Sequence, residues 1–222
     1  MPAVRPLLLA TLLPLFAGCQ LMGAFQSAPE PRLSGQTRMQ GTVHEAAGQL
    51  LFAPCGSART FVVDDQGNTG IAQDVRDLTA GADGLFADVR GRFDGNTVEG
   101  VPGKLNLQSL YRVEHASGAC KDANFKVTRF YAEGQKWSVR ANTNGLKLVR
   151  EGQPDLAVPY LIEQMPGGGS SLSSDANNQH IELWVAPQRC TSGDRVSFLT
   201  AELRIDDQVQ RGCAYEGGAQ TN

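Results

Sequence analysis

The side chains best suited to chemistry in this 222-residue chain are its three histidines, five cysteines, paired carboxylates and two tryptophans. His44, His115 and His180 each precede a cysteine at short range. A nucleophilic triad needs a base positioned against a nucleophile, and a zinc site needs several ligands to converge. The spacing of these histidines shows neither, so they read as ordinary strand residues. Asp64-Asp65 and Asp206-Asp207 stand among turn formers, where Asp is favoured for bonding to backbone. The sequence holds no G-x-S-x-G, no phosphate-cradling glycine loop and no H-E-x-x-H. Gly100-Val101-Pro102-Gly103 reads as a plain loop. Trp137 and Trp184 read as core anchors, because large aromatics dominate core burial. The expectation is a protein that is not an enzyme, with no catalytic residues, no cofactor and no metal.

One cysteine belongs to a different kind of chemistry. Arg5 is followed by the apolar run 7–17 and then by Gly18-Cys19. The run is too short for a membrane-spanning helix, which needs about 20 residues. A positive start, an apolar stretch and small residues describe a secretory signal. Phe16-Ala17-Gly18-Cys19 resembles the lipobox of bacterial lipoproteins, with Phe16 at a position usually held by Leu. The resemblance implies a signal peptide over 1–18, cleavage after Gly18, and acylation of Cys19, palmitate included, as the new N-terminus. Several acyl chains anchor stably, since each buried CH2 contributes about 0.8 kcal/mol. Gln20 is not the Asp associated with inner-membrane retention. The implied address is the outer membrane, lipid-anchored and facing the periplasm. Residues 19–36 hold small residues, two prolines and no periodicity, which suits a tether.

Without the signal, 19 of the 20 basic side chains remain against 23 acidic ones. That balance gives no basic footprint for nucleic acid and no polybasic patch for anionic lipid. Four cysteines remain beside Cys19, namely Cys55, Cys120, Cys190 and Cys213. An oxidising compartment permits disulfides, and four cysteines allow three pairings. Pairing Cys55 with Cys120 and Cys190 with Cys213 closes each bridge inside one expected domain. On the chain-entropy model each would contribute roughly 3–4.5 kcal/mol. The competing reading is metal binding, which usually wants more closely spaced ligands than these.

Two bodies are expected to carry these cysteines. Over 37–121, strand-like stretches at 37–44, 49–53 and 60–63 precede a change of period. Ile71, Val75 and Leu78 then lie on one helical face. Asn68 or Thr69 would cap that helix and Gly81 would end it. Strand character returns at 85–93 and 105–113, where Leu110 breaks the alternation of Leu105 and Leu107. The order of three strands, a helix and two strands is that of an OB-like small barrel. Over 122–222 the pattern is all-β, with strands expected at 125–131, 137–141, 146–150, 157–163, 180–185, 196–205 and 209–214. Asn142-Thr143-Asn144-Gly145 and Asp206-Asp207 supply hairpin turns. Pro166-Gly167-Gly168-Gly169-Ser170-Ser171 reads as a flexible loop. The fold class is mainly β, an α+β first domain followed by a meander sandwich or barrel.

Several words in the second half resemble a family of uncharacterised bacterial envelope proteins, whose modules often accompany META domains of the heat-shock lipoprotein type. Gly134-Gln135-Lys136-Trp137 resembles that family's Gly-x-Glu-Pro-x-Trp opening, without the Glu-Pro. Closer matches are 181–190, ending in Ala186-Pro187-Gln188-Arg189-Cys190, then Thr200-Ala201-Glu202-Leu203-Arg204 and Arg211-Gly212-Cys213. The resemblance supports the two disulfide pairings and carries no activity or functional residues. It implies an envelope lipoprotein with a non-enzymatic binding or scaffolding role in envelope maintenance or stress. The expected contacts are the membrane, through the N-terminal lipid, and an envelope protein partner, with no nucleic acid. Two weaker likenesses give alternatives. Pro54-Cys55-Gly56 resembles the Pro-Cys-Ala-Asp-Cys of copper-homeostasis lipoproteins, without the second cysteine, and would imply metal handling. The Gly/Ser loop over 166–174 resembles the inhibitory loop of lipoprotein inhibitors of c-type lysozyme, without the Tyr that follows it there.

Overall fold

Strands dominate the described residues, which form a mainly β molecule with one α-helix among them. The structure, a computed structural model, describes residues 35–78, 84–94, 103–115, 118–176 and 178–219. The signal 1–18, with Gly18, and Cys19 lie outside the described residues, as do most of the tether, Gly81 and Gly100–Pro102 of the loop.

The first part runs β1 (Thr37–Ala46), β2 (Gln49–Pro54), β3 (Phe61–Asp65), α1 (Ile71–Leu78), β4 (Leu85–Asp94) and β5 (Gly103–Glu114). β1 pairs antiparallel with β2 and β4, β2 with β3, and β4 with β5. The ring closes through the parallel pair β3–β5, with Phe61 opposite Gly103. This is a five-stranded OB-like barrel with its helix between the third and fourth strands. Inside it pack Val43, Phe52, Ile71, Val75, Leu85, Leu105 and Leu107, all essentially without solvent contact. The broken alternation near Leu110 has a cause in the ladder. β4 and β5 slip register between Asp88 and Val89 and again between Arg90 and Gly91. Each bulge adds a residue to one strand and re-aims the side chains beyond it. Leu110 and Val113 both reach the core as a result.

Local chemistry sets the helix ends. The Asp65 carboxylate accepts the N–H groups of Thr69 and Gly70 at 2.9 and 3.0 Å, and the Thr69 hydroxyl accepts Ile71 N–H at 3.4 Å. Gly70, whose carbonyl accepts Asp74 N–H at 3.1 Å, holds the N-cap place, with the Thr69 hydroxyl helping from one residue earlier and Asp65 ordering the turn before it. At the other end His115 Nε2 donates to Leu78 O at 2.6 Å, satisfying a carbonyl the helix leaves open.

Two single 3-10 turns, Ala119–Lys121 and Phe125–Val127, lead into the second part. It comprises β6 (Thr128–Gly134), β7 (Trp137–Asn142), β8 (Gly145–Arg150), β9 (Leu156–Val158), β10 (Leu161–Gln164), β11 (Ser170–Ala176), β12 (Gln179–Ser192), β13 (Arg195–Ile205) and β14 (Gln208–Glu216). The ladder order is β10-β11-β12-β13-β14-β6-β7-β8-β9, antiparallel throughout. Its two ends are chain neighbours, so the sheet must curl round its own core. That core holds Trp137, Val139, Leu146, Leu148, Leu172, Ile181, Leu183 and Leu203. Both hairpins read from sequence are present. Asn142 Oδ1 accepts Asn144 N–H at 2.7 Å in the β7–β8 turn, and Asp206, at φ 52°, opens the β13–β14 turn.

Four segments depart from the sequence reading. Phe125–Val127, expected to open the strand over 125–131, is a 3-10 turn, and the strand starts at Thr128. The stretch 157–163 is two strands, because Pro159 interrupts it and Tyr160 turns its hydroxyl to Asn142 O at 2.9 Å. The expected loop over 166–171 shrinks to 166–169. Ser170 begins β11, paired on both sides, with Ser170, Ser171 and Ser174 buried. β12 continues past Val185 into a long arm, with its register broken between Pro187 and Cys190, where proline lacks a ladder donor.

Candidate functional site

β13 belongs to both parts of the molecule. Its first residues, Arg195 to Ser197, pair with β5 of the barrel, and Phe198 packs against the barrel core. Its later residues, Ala201, Leu203 and Ile205, face the meander core. The arm at the end of β12 reaches the same way. His115 N–H bonds Asp194 O at 3.1 Å, and the exposed Arg189 pairs with the buried Asp74 of α1.

Beneath the arm lies a charged joint. Arg112 and Glu114 of β5 pair at 2.9 Å, each side chain only 3% exposed. Arg195 pairs with both Glu114 and Glu133. The Arg112 guanidinium sits 3.9 Å from the Tyr215 ring and 4.8 Å from that of Phe86. Nearby, Arg38 holds Asp88 through two bonds of 2.9 and 2.8 Å, reaches Gly217 O and Glu216 O at 2.7 and 2.6 Å, and stacks 3.8 Å over Tyr111. Planar guanidinium suits this combination of bidentate pairing and aromatic stacking. Burial pulls the Arg38 pKa down, but the hydrogen bond and charge of Asp88 outweigh it and leave the pKa raised. Burial, reinforced by Glu133, pushes the Tyr131 phenol up to about 12. Tyr131 therefore stays a neutral donor, bonding Glu133 at 2.9 Å. This joint is structural: its members hold one another.

The site open to a ligand lies next to it, on the outer face of β12, β13, β14 and β6. Inward Ile181, Leu183 and Val185 force Trp184 outward by the period-2 alternation of a strand. Trp184 therefore sits beside Glu202 of β13, and Glu202 beside Arg211 of β14. The arm then rises over this face, tied down by the disulfide Cys190–Cys213, whose Cα atoms are 5.5 Å apart. Between arm and sheet runs a groove of about 780 Å³. That volume is in the range of small-molecule sites, roughly 300–1,000 Å³. Its walls include Trp184, Gln188, Glu202, Arg211, Gln135 and the disulfide. Gly212 keeps the floor flat. A Cβ there would meet Glu133 O at 1.9 Å, so no other residue fits this close strand approach.

The carboxylates in the groove, Glu133 and Glu202, are already paired. Glu202 accepts Arg204 at 2.8 and 2.7 Å and Arg211 at 3.3 Å. Those hydrogen bonds, Arg204's above all, hold the Glu202 carboxyl below its usual range. Arg204 also stacks 3.9 Å from the Trp184 ring. The Trp184 indole N–H, by contrast, is buried without a hydrogen-bond partner among the described residues.

The residues singled out from sequence scatter and converge in turn. His44 lies in β1, His115 caps α1, and His180 bonds Asp175 at 2.7 Å on the surface. Among the described residues no group of three or more His, Cys, Asp or Glu is placed to hold a metal. Asp65 and Asp206 serve turns, as read. The four cysteines form the two expected bridges, Cys55–Cys120 and Cys190–Cys213. Such bridges fit an oxidising, extracytoplasmic compartment. Among the described residues no helix is long and apolar enough to cross a membrane. Trp137 is a core residue, as expected, whereas Trp184 lines the groove. The segments 134–137, 181–190, 200–204 and 211–213 all contribute to its walls or to its immediate support. The whole groove was missed from sequence, although the parity of Trp184 against Ile181, Leu183 and Val185 was a signal for it.

No protein-family model matches the chain, and searches of curated proteins and of solved structures gave no match.

Proposed function

We propose that this protein is a lipid-anchored lipoprotein of the bacterial outer membrane, facing the periplasm, that binds rather than turns over its ligand. Cys19 carries the acyl chains and residues 19–36 hold the body off the membrane. The observation that carries the binding reading is the groove under the β12 arm, with the unpartnered Trp184 donor in its wall. The indole nitrogen has almost no exposed surface, so a ligand oxygen would reach it by a turn of the ring and recover the roughly 1–3 kcal/mol that an unpartnered buried donor costs. The role belongs to envelope maintenance or stress, in contact with whatever lies within reach of the membrane surface.

Metabolic palmitate labelling tests the anchor: label should enter the natural chain and be lost in Cys19→Ser, and label persisting in that variant overturns the assignment. A photoreactive residue at position 188 tests the groove in intact cells. It should give an adduct that the same residue at the exposed position 147 does not. Equal adducts at both positions, or none at either, would remove the binding reading.

A further inference from the structure

We infer that the groove under the β12 arm takes a neutral saccharide, a reading that rests on the proposed binding role and deepens it. The argument starts from which polar groups the protein has left uncommitted. Glu133 is held by Arg195 and Tyr131, and Glu202 by Arg204 and Arg211. A cationic ligand would have to displace Arg204 or Arg211 from Glu202, and an anionic one would meet the carboxylates of Glu133 and Glu202 beside the exposed Arg211. What remains is neutral: the Trp184 indole N–H and the side chains of Gln135, Gln188 and Ser192, none with a hydrogen-bond partner among the described residues.

Those groups match a polyol. Each amide presents donors and an acceptor together, which is what a hydroxyl needs as acceptor and donor at once. The indole N–H requires an oxygen acceptor, and a sugar hydroxyl or ring oxygen supplies one. The Trp184 ring, backed by Arg204 at 3.9 Å, adds a rigid apolar surface for the C–H face of a pyranose. The geometry is fixed by rigid parts, with two paired strands beneath and the Cys190–Cys213 bridge holding the arm above. A preformed site of this kind loses little entropy on binding. Nucleic acid fits poorly, because its phosphates call for several cations and the groove sets Arg211 beside two carboxylates, Glu133 and Glu202.

Calorimetric titration of the mature chain against chitotetraose, maltotetraose and cellotetraose tests the inference, with tetragalacturonate as the acidic counterpart. At least one neutral probe should bind, with an affinity unchanged when ionic strength rises from about 0.05 to 0.5 M, since no charge is screened. Trp184→Phe keeps the ring and removes the donor, and should weaken that binding about ten-fold. Gln188→Ala alters an exposed side chain only and should weaken it as well, which guards against a folding defect at Trp184. Binding confined to the acidic probe, or no binding to any probe, overturns the inference. If the adduct at position 188 still forms in cells in either case, the groove binds another class of ligand and the proposed function stands. If that adduct is also missing, both readings fall.

Discussion

The barrel and the meander meet the same problem, the unpaired sheet edge, in different ways. In the barrel every strand has a neighbour on both sides, and the parallel β3–β5 pair closes the ring by hydrogen bonds. In the meander, among the described residues, β9 pairs only with β8 and β10 only with β11. Closure there is covalent, through Pro159 and Tyr160, and it leaves two short edges with Leu161 73% exposed. Short edge strands interrupted by proline are a recognised protection against edge-to-edge association. The contrast extends to chemistry. The barrel core is an apolar cluster, and the groove and its arm are built from strands of the meander, while the charged joint draws Arg38, Asp88, Arg112 and Glu114 from the barrel and Arg195 and Glu133 from the meander. Complete closure makes a support. The looser sheet has a long hairpin free to bend away from it, and that bend makes a site.

The disulfides offer the sharpest way to test this contrast. Cys55–Cys120 spans 65 residues and ties the β2–β3 connection to the turn after β5. Cys190–Cys213 spans 23 and ties the arm to β14. If both act by restricting the unfolded chain, removing the first by paired serine substitution costs about 4 kcal/mol and the second about 3. Guanidine denaturation would read these values. Only the second change should abolish ligand capture at position 188, because only that bridge holds the arm. A larger loss from the short bridge would mean that it stabilises folded geometry rather than constraining the unfolded state.

A smaller effect is expected at the joint, where it bears on whether the two parts unfold together. Arg195→Met removes the cation shared by Glu114 and Glu133. Glu114, only 3% exposed, then keeps Arg112 alone, and losing its bond to Arg195 costs about 1–3 kcal/mol. Because β13 is packed into both cores, amides of Val43 in the barrel and Leu148 in the meander should lose the same amount of exchange protection. A loss confined to the meander would show that the parts unfold separately and that β13 is no more than a contact between them.

The barrel was the more legible part, and the reason is physical. Its strands carry apolar residues at the period of a sheet, and its helix announces itself by a change of period at Ile71, Val75 and Leu78. The meander hides more. β11 is mostly serine, with little intrinsic preference for strand, and becomes one because β10 and β12 supply its ladder and small side chains suit the packed face. Arg38 meeting the carbonyls of Glu216 and Gly217 has no local signature at all, since the contact joins the two ends of the described chain. Trp184 lay between these extremes. Its outward parity was written in 181–185, but an aromatic flanked by aliphatics suggests core until the strand is known to be solvated on one face. The fate of Pro187, where the strand breaks and the arm begins, was likewise open until the partner strand was known.

The smallest effect should be the most local. His180, beside the β13–β14 turn, donates through Nδ1 to Asp175 at 2.7 Å, and its backbone N–H donates to Asp206 at 3.0 Å. The hydrogen bond to Asp175 comes first in raising its pKa above 6.5, with the charges of Asp175, Glu182 and Asp206 acting in the same direction. The charged imidazolium is thus favoured in the folded state, and Nδ1 is then the donor. A group whose folded pKa is raised stabilises most when both states are protonated. Its contribution is complete below 6.5 and fades as pH climbs through the raised folded value. His180→Gln removes the titration while keeping a donor. The melting-temperature gap between the natural chain and this variant should therefore be largest at acidic pH and shrink through the neutral range. The site is solvent-exposed, so added salt should shrink the gap too. Exchange protection in the barrel should not respond to the substitution, because the partners of His180, Asp175 of β11 and Asp206 of the β13–β14 turn, both belong to the meander. A gap that widens with rising pH would reverse the sign and assign the imidazole a neutral role in the folded protein.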